Sequence, residues 1–124
     1  MMERVAELEY PERDELQLVD VLQALGDPVR LQIVRILDQA DGAIACNEMG
    51  LPVAKSTGSH HLKVLREAGL VRAQVDGTRR YYTLRRDELK ARFPGLLRSV
   101  LRSSSLPDLG RGPRGEAAGY GDEC

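Results

Sequence analysis

Leu18, Val21, Leu22 and Leu25 fall at i, i+3, i+4 and i+7, the spacing that lines four apolar side chains along one helix face. Gly26 closes that stripe. Asp27-Pro28 then opens a second one, an N-cap residue followed by a proline at the first helical position. This second helix keeps Val29, Ile33, Ile36 and Leu37 on one face, sets Arg30 and Arg35 near the other, and stops at Asp41-Gly42. Residues 43–49 read as a short two-turn helix closed by Gly50, with Leu51-Pro52 as the turn beyond it. A longer helix is predicted from about Ala54 to Ala68, with Gly69 as its stop. Leu70 to Val75 and Arg79 to Leu84 are β-rich runs flanking Asp76-Gly77, a strong hairpin signal. Asp87 is placed to cap a last helical region, which Pro94-Gly95 interrupts. Leu96, Leu97, Val100 and Leu101 stripe the final stretch.

Two helices across a tight turn followed by a basic hairpin make a winged helix-turn-helix, mainly α with a small β-hairpin. Its expected span is residues 12–102, after an N-terminal arm at 1–11. From Ser103 the composition turns to Ser, Gly and Pro, so residues 103–124 are expected to be a disordered tail. A length of 124 residues fits one domain and not two. No apolar run approaches the roughly 18–20 residues of a membrane span, and the acidic start MMERVAELEYPERDE is unlike a signal peptide. A cytoplasmic, nucleoid-associated protein without a membrane partner is expected.

Charge sharpens the picture. The chain as a whole is formally -1, but residues 51–105 carry 12 Lys/Arg against 4 Asp/Glu, while residues 1–50 carry 4 against 11. A basic stretch inside a near-neutral chain suits a polyanion, although it also suits plain solvation of exposed helices. The helical wheel of residues 54–68 separates the two. Gly58, His61, Leu62, Leu65 and Gly69 share one side, and Ser56, Ser59, His60 and Lys63 the opposite side, with Lys55 and Thr57 at the N-terminal end. The outer group offers hydroxyls, an imidazole and cations with no carboxylate before Glu67, the chemistry that reads base edges and phosphates in a major groove. Arg72, Arg79 and Arg80 on the hairpin suit phosphates or a minor groove. Tyr81 and Tyr82 must point to opposite faces, so one of them belongs to the core.

LGDPVRLQIVRIL, then KSTGSHHLKVLREAGLV, then DGTRRYYTL, in that order over roughly residues 16–101, resembles the ArsR family of bacterial winged-helix transcriptional repressors. The resemblance implies a homodimer joined through its first and last helices, here Leu18, Leu22, Leu97, Val100 and Leu101, on a palindromic double-stranded DNA operator. It also implies DNA contact at Lys55, Ser56, Ser59 and His60, in agreement with the wheel. Many members release DNA on binding metal, and a small-molecule inducer is a further option within the family. This chain departs from the metal-sensing pattern: AIACNEMG holds Cys46 alone where a Cys-x-Cys pair is common, and the final helix contains no His. No metal or other cofactor is expected, because Cys46 and Cys124 do not supply the three or four ligands a zinc site takes. Ala54 stands where a capping Ser is common, and Gly58 where a branched aliphatic residue is.

Cys46 is the thiol expected inside the folded body. Its sensor reading competes with that of a small buried hydrophobe, and Ala45-Cys46-Asn47-Glu48 offers a carboxylate but no cation to stabilise a thiolate, so a slow, inert thiol is expected. The leading expectation is a sequence-specific DNA-binding repressor. A thiol- or ligand-responsive repressor of the same fold, or a winged helix used for protein contact, are its alternatives. An enzyme is not expected, since no nucleophile–base pair, phosphate loop or metal cluster stands out.

Overall fold

The computed structural model describes residues 5–104. Strand β1 (Val5–Glu7) leads through a 3-10 turn at Arg13–Glu15 into helices α1 (Leu18–Leu25) and α2 (Pro28–Gln39). Strand β2 (Ile44–Ala45), a 3-10 turn at Cys46–Glu48 and helix α3 (Lys55–Ala68) follow. Strands β3 (Val71–Asp76) and β4 (Arg79–Leu84) form the hairpin, and α4 (Arg86–Arg92) and α5 (Leu96–Ser103) end the described chain.

The α1–α2 break is built as the sequence dictates. The Asp27 carboxylate accepts from the backbone N–H groups of Val29 and Arg30 at 2.9 and 3.1 Å, satisfying two donors that the start of a helix leaves open, and Pro28 occupies the first helical position. Gly69 ends α3 in the left-handed region at φ +95°, which lets the Leu70 N–H reach back to the Leu65 carbonyl at 2.9 Å. A Cβ at Gly69 would overlap the buried Leu16 side chain, so this position needs glycine for space as well as for φ.

The hairpin pairs Val71 with Leu84 through Asp76 with Arg79, turning at Gly77 (φ +68°). Two short strands extend it into an antiparallel sheet of order β1-β3-β4-β2. β1 runs along β3 with Val5 opposite Asp76, and β2 runs along β4 with Ile44 opposite Tyr82. This corrects the helix expected at residues 43–49. The open edge of β4 takes Ile44 and Ala45 into the sheet, and only a single 3-10 turn remains, held by the Ala45 N–H on the Glu48 carboxylate at 3.0 Å. Asp87 is likewise not the cap of α4. The Arg85 N–H stays on the Leu70 carbonyl while the Arg85 carbonyl already receives Leu89, so Arg85 is the N-cap and Asp87 sits in the first turn, where its charge favours the helix dipole.

The core lies between α1–α3 and the inner face of the sheet. Ile33, Leu62, Leu65, Leu70 and Val71 have no exposed surface, and Leu16, Val34, Leu51, Ala73 and Tyr82 close around them. Each such aliphatic side chain contributes roughly 1.5–3 kcal/mol through burial. Tyr82 is the hairpin tyrosine that turns inward, with Tyr81 half-exposed on the other face. α5 carries Leu96, Leu97, Val100 and Leu101 only half-buried against this core. It runs through Ser103, and Ser104 hydrogen-bonds Arg35; the tail expected beyond it, with Cys124, falls outside the described residues from 105 onward. The arrangement is a winged helix-turn-helix, with the 3-10 turn at Cys46–Glu48 standing before the Leu51-Pro52 turn where a helix was expected, α3 after it, and the β3–β4 hairpin as the wing.

Candidate nucleic-acid interface

α3 is held by its inner face. Gly58, Leu62, Leu65 and Ala68 are buried, one residue per turn or nearly so, which turns Ser56, Thr57, His60 and Lys63 outward and leaves all four exposed. Lys55 and Ser59 flank them, half-exposed. The outer group expected from the wheel therefore occupies one face. Ala54 makes no side-chain cap, as its identity requires.

His61, on the inner edge, serves the scaffold. Its Nδ1 lies 3.2 Å from Arg30 Nη1 and 3.8 Å from the Asp27 carboxylate, with 11% of the side chain exposed. Burial pushes its pKa below the ordinary 6.5; the Asp27 charge opposes this and the cationic Arg30 reinforces it. The ring is thus the neutral tautomer that accepts at Nδ1 from Arg30. Arg30 also donates to the carbonyls of Ala24 at 2.7 Å and Gln23 at 3.3 Å, so one guanidinium ties the end of α1 and the start of α2 to α3. The sequence placed Arg30 and Arg35 on an exposed face. Both instead fold onto the protein, Arg35 donating to the Leu101 carbonyl and to Ser104.

The wing arginines do not form one group. Arg72 lies on an ion pair with Glu88 at 3.3 Å and over the Tyr10 ring at 5.2 Å, so its charge is spent inside the molecule rather than offered to phosphates. Arg79 and Arg80 sit exposed at the wing, on opposite faces of β4 because strand side chains alternate. Arg80 shares its face with Tyr82 and leans toward α3. A cleft of about 320 Å³ separates the helix from the wing, lined by Ser56, Ser59, His60, Lys63 and Arg66 on the α3 side and by Arg80 and Tyr82 on the β4 side. Sequence reasoning missed Arg66 and Tyr82 here. The available signal was the alternation that puts Tyr82 two residues from Arg80 on one face. Burial lifts the Tyr82 hydroxyl above its ordinary pKa of 10, and the neighbouring Arg80 opposes the shift.

The remaining sequence-derived sites scatter. Leu18 and Leu22 are exposed on α1 together with Val19, and Leu97, Val100 and Leu101 are half-buried on α5. Cys46 is 2% exposed within the core, and no free cysteine occurs among the described residues, so the free, inert thiol expected from the sequence is not what this structure holds. No group of three or more His, Cys, Asp or Glu able to hold a metal occurs among the described residues. No described helix is long and apolar enough to cross a membrane.

Comparison with known proteins bears on this surface. A helix-turn-helix domain family matches residues 25–74, which run from the end of α1 into β3. The uncharacterized HTH-type transcriptional regulator YceK of Bacillus subtilis is 37% identical over 82 residues, 64% of this chain and 82% of that protein. The HTH-type transcriptional regulator KmtR of Mycobacterium tuberculosis is 30% identical over 115 residues, 75% of this chain and 87% of its own. The putative arsenical resistance operon repressor ArsR of Halobacterium salinarum is 41% identical over 81 residues, covering 62% of this chain and 63% of that one.

Proposed function

The chain belongs to the ArsR family of helix-turn-helix transcriptional regulators, and from that premise we propose that it represses transcription as a homodimer on a palindromic operator. The observation that carries this reading is the outer face of α3. Ser56, Thr57, Ser59, His60 and Lys63 stand on one side of a helix that the core grips only from behind, with no carboxylate among them. Short hydroxyls and an imidazole bond to base edges, and Lys55, Lys63 and the wing arginines neutralise phosphates. A helix presented this way fits a major groove about 12 Å wide. The acidic N-terminal half of the chain keeps the rest of the molecule off the polyanion. One domain presents one reading helix, so a specific site of useful length needs two copies, and twofold symmetry in the protein then asks for a palindrome.

The test is enrichment of duplexes from a random pool by the purified chain. A palindrome whose half-site centres lie roughly 34–36 Å apart, or a multiple of that, is expected. Ser59→Ala with His60→Ala should reduce the preference for the enriched sequence over random DNA. Enrichment of no sequence at all overturns the proposal.

A further inference from the structure

We propose that the cleft between α3 and the wing is a seat for one backbone phosphodiester of the DNA, with the Tyr82 hydroxyl and Arg80 on one wall and Lys63 on the other. This rests on the regulatory reading above and adds to it a site that clamps helix and wing onto the same phosphate. Among the described residues, the cleft of about 320 Å³ is lined by three cations, Lys63, Arg66 and Arg80, and by no carboxylate. Arg66 is partly committed, donating to the Glu9 carbonyl at 2.7 Å, which leaves Lys63 and Arg80 as the main charges.

The donor inventory favours a phosphodiester. Arg80 lines the cleft beside Tyr82, and its guanidinium brings five N–H donors. The Tyr82 hydroxyl adds an O–H donor to the same wall. Lys63 adds a charged donor from the facing helix. A donor-rich, cationic cleft matches a group that only accepts and carries one negative charge, and phosphodiester oxygens are that group. Because Tyr82 is buried at its ring and fixed in β4, a phosphate held there sets how deep α3 sits in the groove. Arg79, on the opposite face of the strand, takes no part in the seat.

Tyr82→Phe tests this without disturbing the buried ring. Titrations of wild type, Tyr82→Phe and Arg80→Gln against the enriched duplex and against random DNA, over a range of salt, give the readout, with thermal melts confirming that each variant folds. Tyr82→Phe should lose about tenfold on both DNAs alike with an unchanged salt slope, since a hydrogen bond to a charged group goes but no charge does. Arg80→Gln should lose affinity on both and lower the salt slope by about 0.9. Wild-type affinity in Tyr82→Phe, or a loss confined to the enriched duplex, overturns the seat while leaving the regulatory reading in place. If wild type binds no duplex, the regulatory reading fails and the seat with it. A calorimetric titration with inorganic phosphate separates the other source of the same chemistry: uptake by wild type, together with unchanged DNA affinity in Tyr82→Phe, makes the cleft a free-anion site and refutes the proposal.

Discussion

His60 and His61 are adjacent in α3, with ring centroids 6.0 Å apart, and their surroundings assign them different work. His60 is exposed on the outer face, while His61 accepts from Arg30 at the joint of three helices. The joint is sensitive to acid in a direction that can be worked out. Burial holds the folded pKa of His61 below the 6.5 of a free imidazole, so the unfolded chain takes up the proton first as pH falls. The stability contributed by the neutral ring is complete above about pH 6.5 and drains away as pH falls below it through the folded value. His61→Asn keeps an acceptor for Arg30 without a titrating group, so its melting temperature should decline less than that of wild type between roughly pH 6.5 and 5. Parallel curves would show that His61 is not the responsible group. Glu88, held below its ordinary 4.5 chiefly by its hydrogen bond to Arg85, loses its contribution only in the more acidic carboxylate range, so the two effects separate on the pH axis.

Elements meet at a second polar joint, under the first strand. Arg85 is 3% exposed, donates from Nε to Glu88 at 2.7 Å, and lies over the Tyr10 ring at 4.7 Å. Its two terminal nitrogens and the Nε of Arg72 find no hydrogen-bond acceptor among the described residues, so the π face of Tyr10 supplies the compensating electrostatics for both guanidinium groups. Tyr10→Ala should therefore cost about 1–2 kcal/mol in urea unfolding, and Tyr10→Phe much less, because the ring and not the hydroxyl does the work. Equal losses in both would refute the ring's role. Nothing local announces this joint in the sequence: Tyr10, Arg72, Arg85 and Glu88 are brought together only when β1 lies along β3 and α4 folds back. The elements that were legible have strong local signals, such as Asp27-Pro28 at the start of α2, Gly69 after α3, and Asp76-Gly77 at the wing. The outer face of α3 was legible too, because 3.6-residue periodicity fixes which side faces the core. Illegible were the features made by pairing at a distance. Ile44 and Ala45 carry no strand signal of their own and become one only against the free edge of β4. Arg72 looks like a wing cation until the Glu88 carboxylate appears beside it.

At the scale of the whole molecule, one chain leaves apolar surface that a solvated monomer has no use for. Leu18 and Leu22 are each 45% exposed and Val19 is 69% exposed, all on α1. α5 spends its stripe of Leu96, Leu97, Val100 and Leu101 only half against its own core, and a cleft of about 610 Å³ remains between it, α2 and α4. An apolar helix face of this kind marks an interaction surface more often than an idle one. In a chain of 124 residues with a modest core, a second copy is the partner that also supplies the second reading helix. The proposed dimer thus joins two needs, burial of α1 and α5 and the pairing of half-sites. Leu18→Glu with Leu22→Glu separates these needs from folding, since both side chains already face solvent in the single chain and neither belongs to the buried core. The double variant should keep the wild-type circular dichroism, sediment as a monomer, and lose 100-fold or more in affinity for a full palindrome, because linkage of two weak sites is what raises avidity by 10²–10⁴. Its affinity for an isolated half-site should be unchanged. A variant that still sediments as a dimer places the interface elsewhere, and a monomer that binds the palindrome as tightly as wild type removes the reason for a dimer altogether.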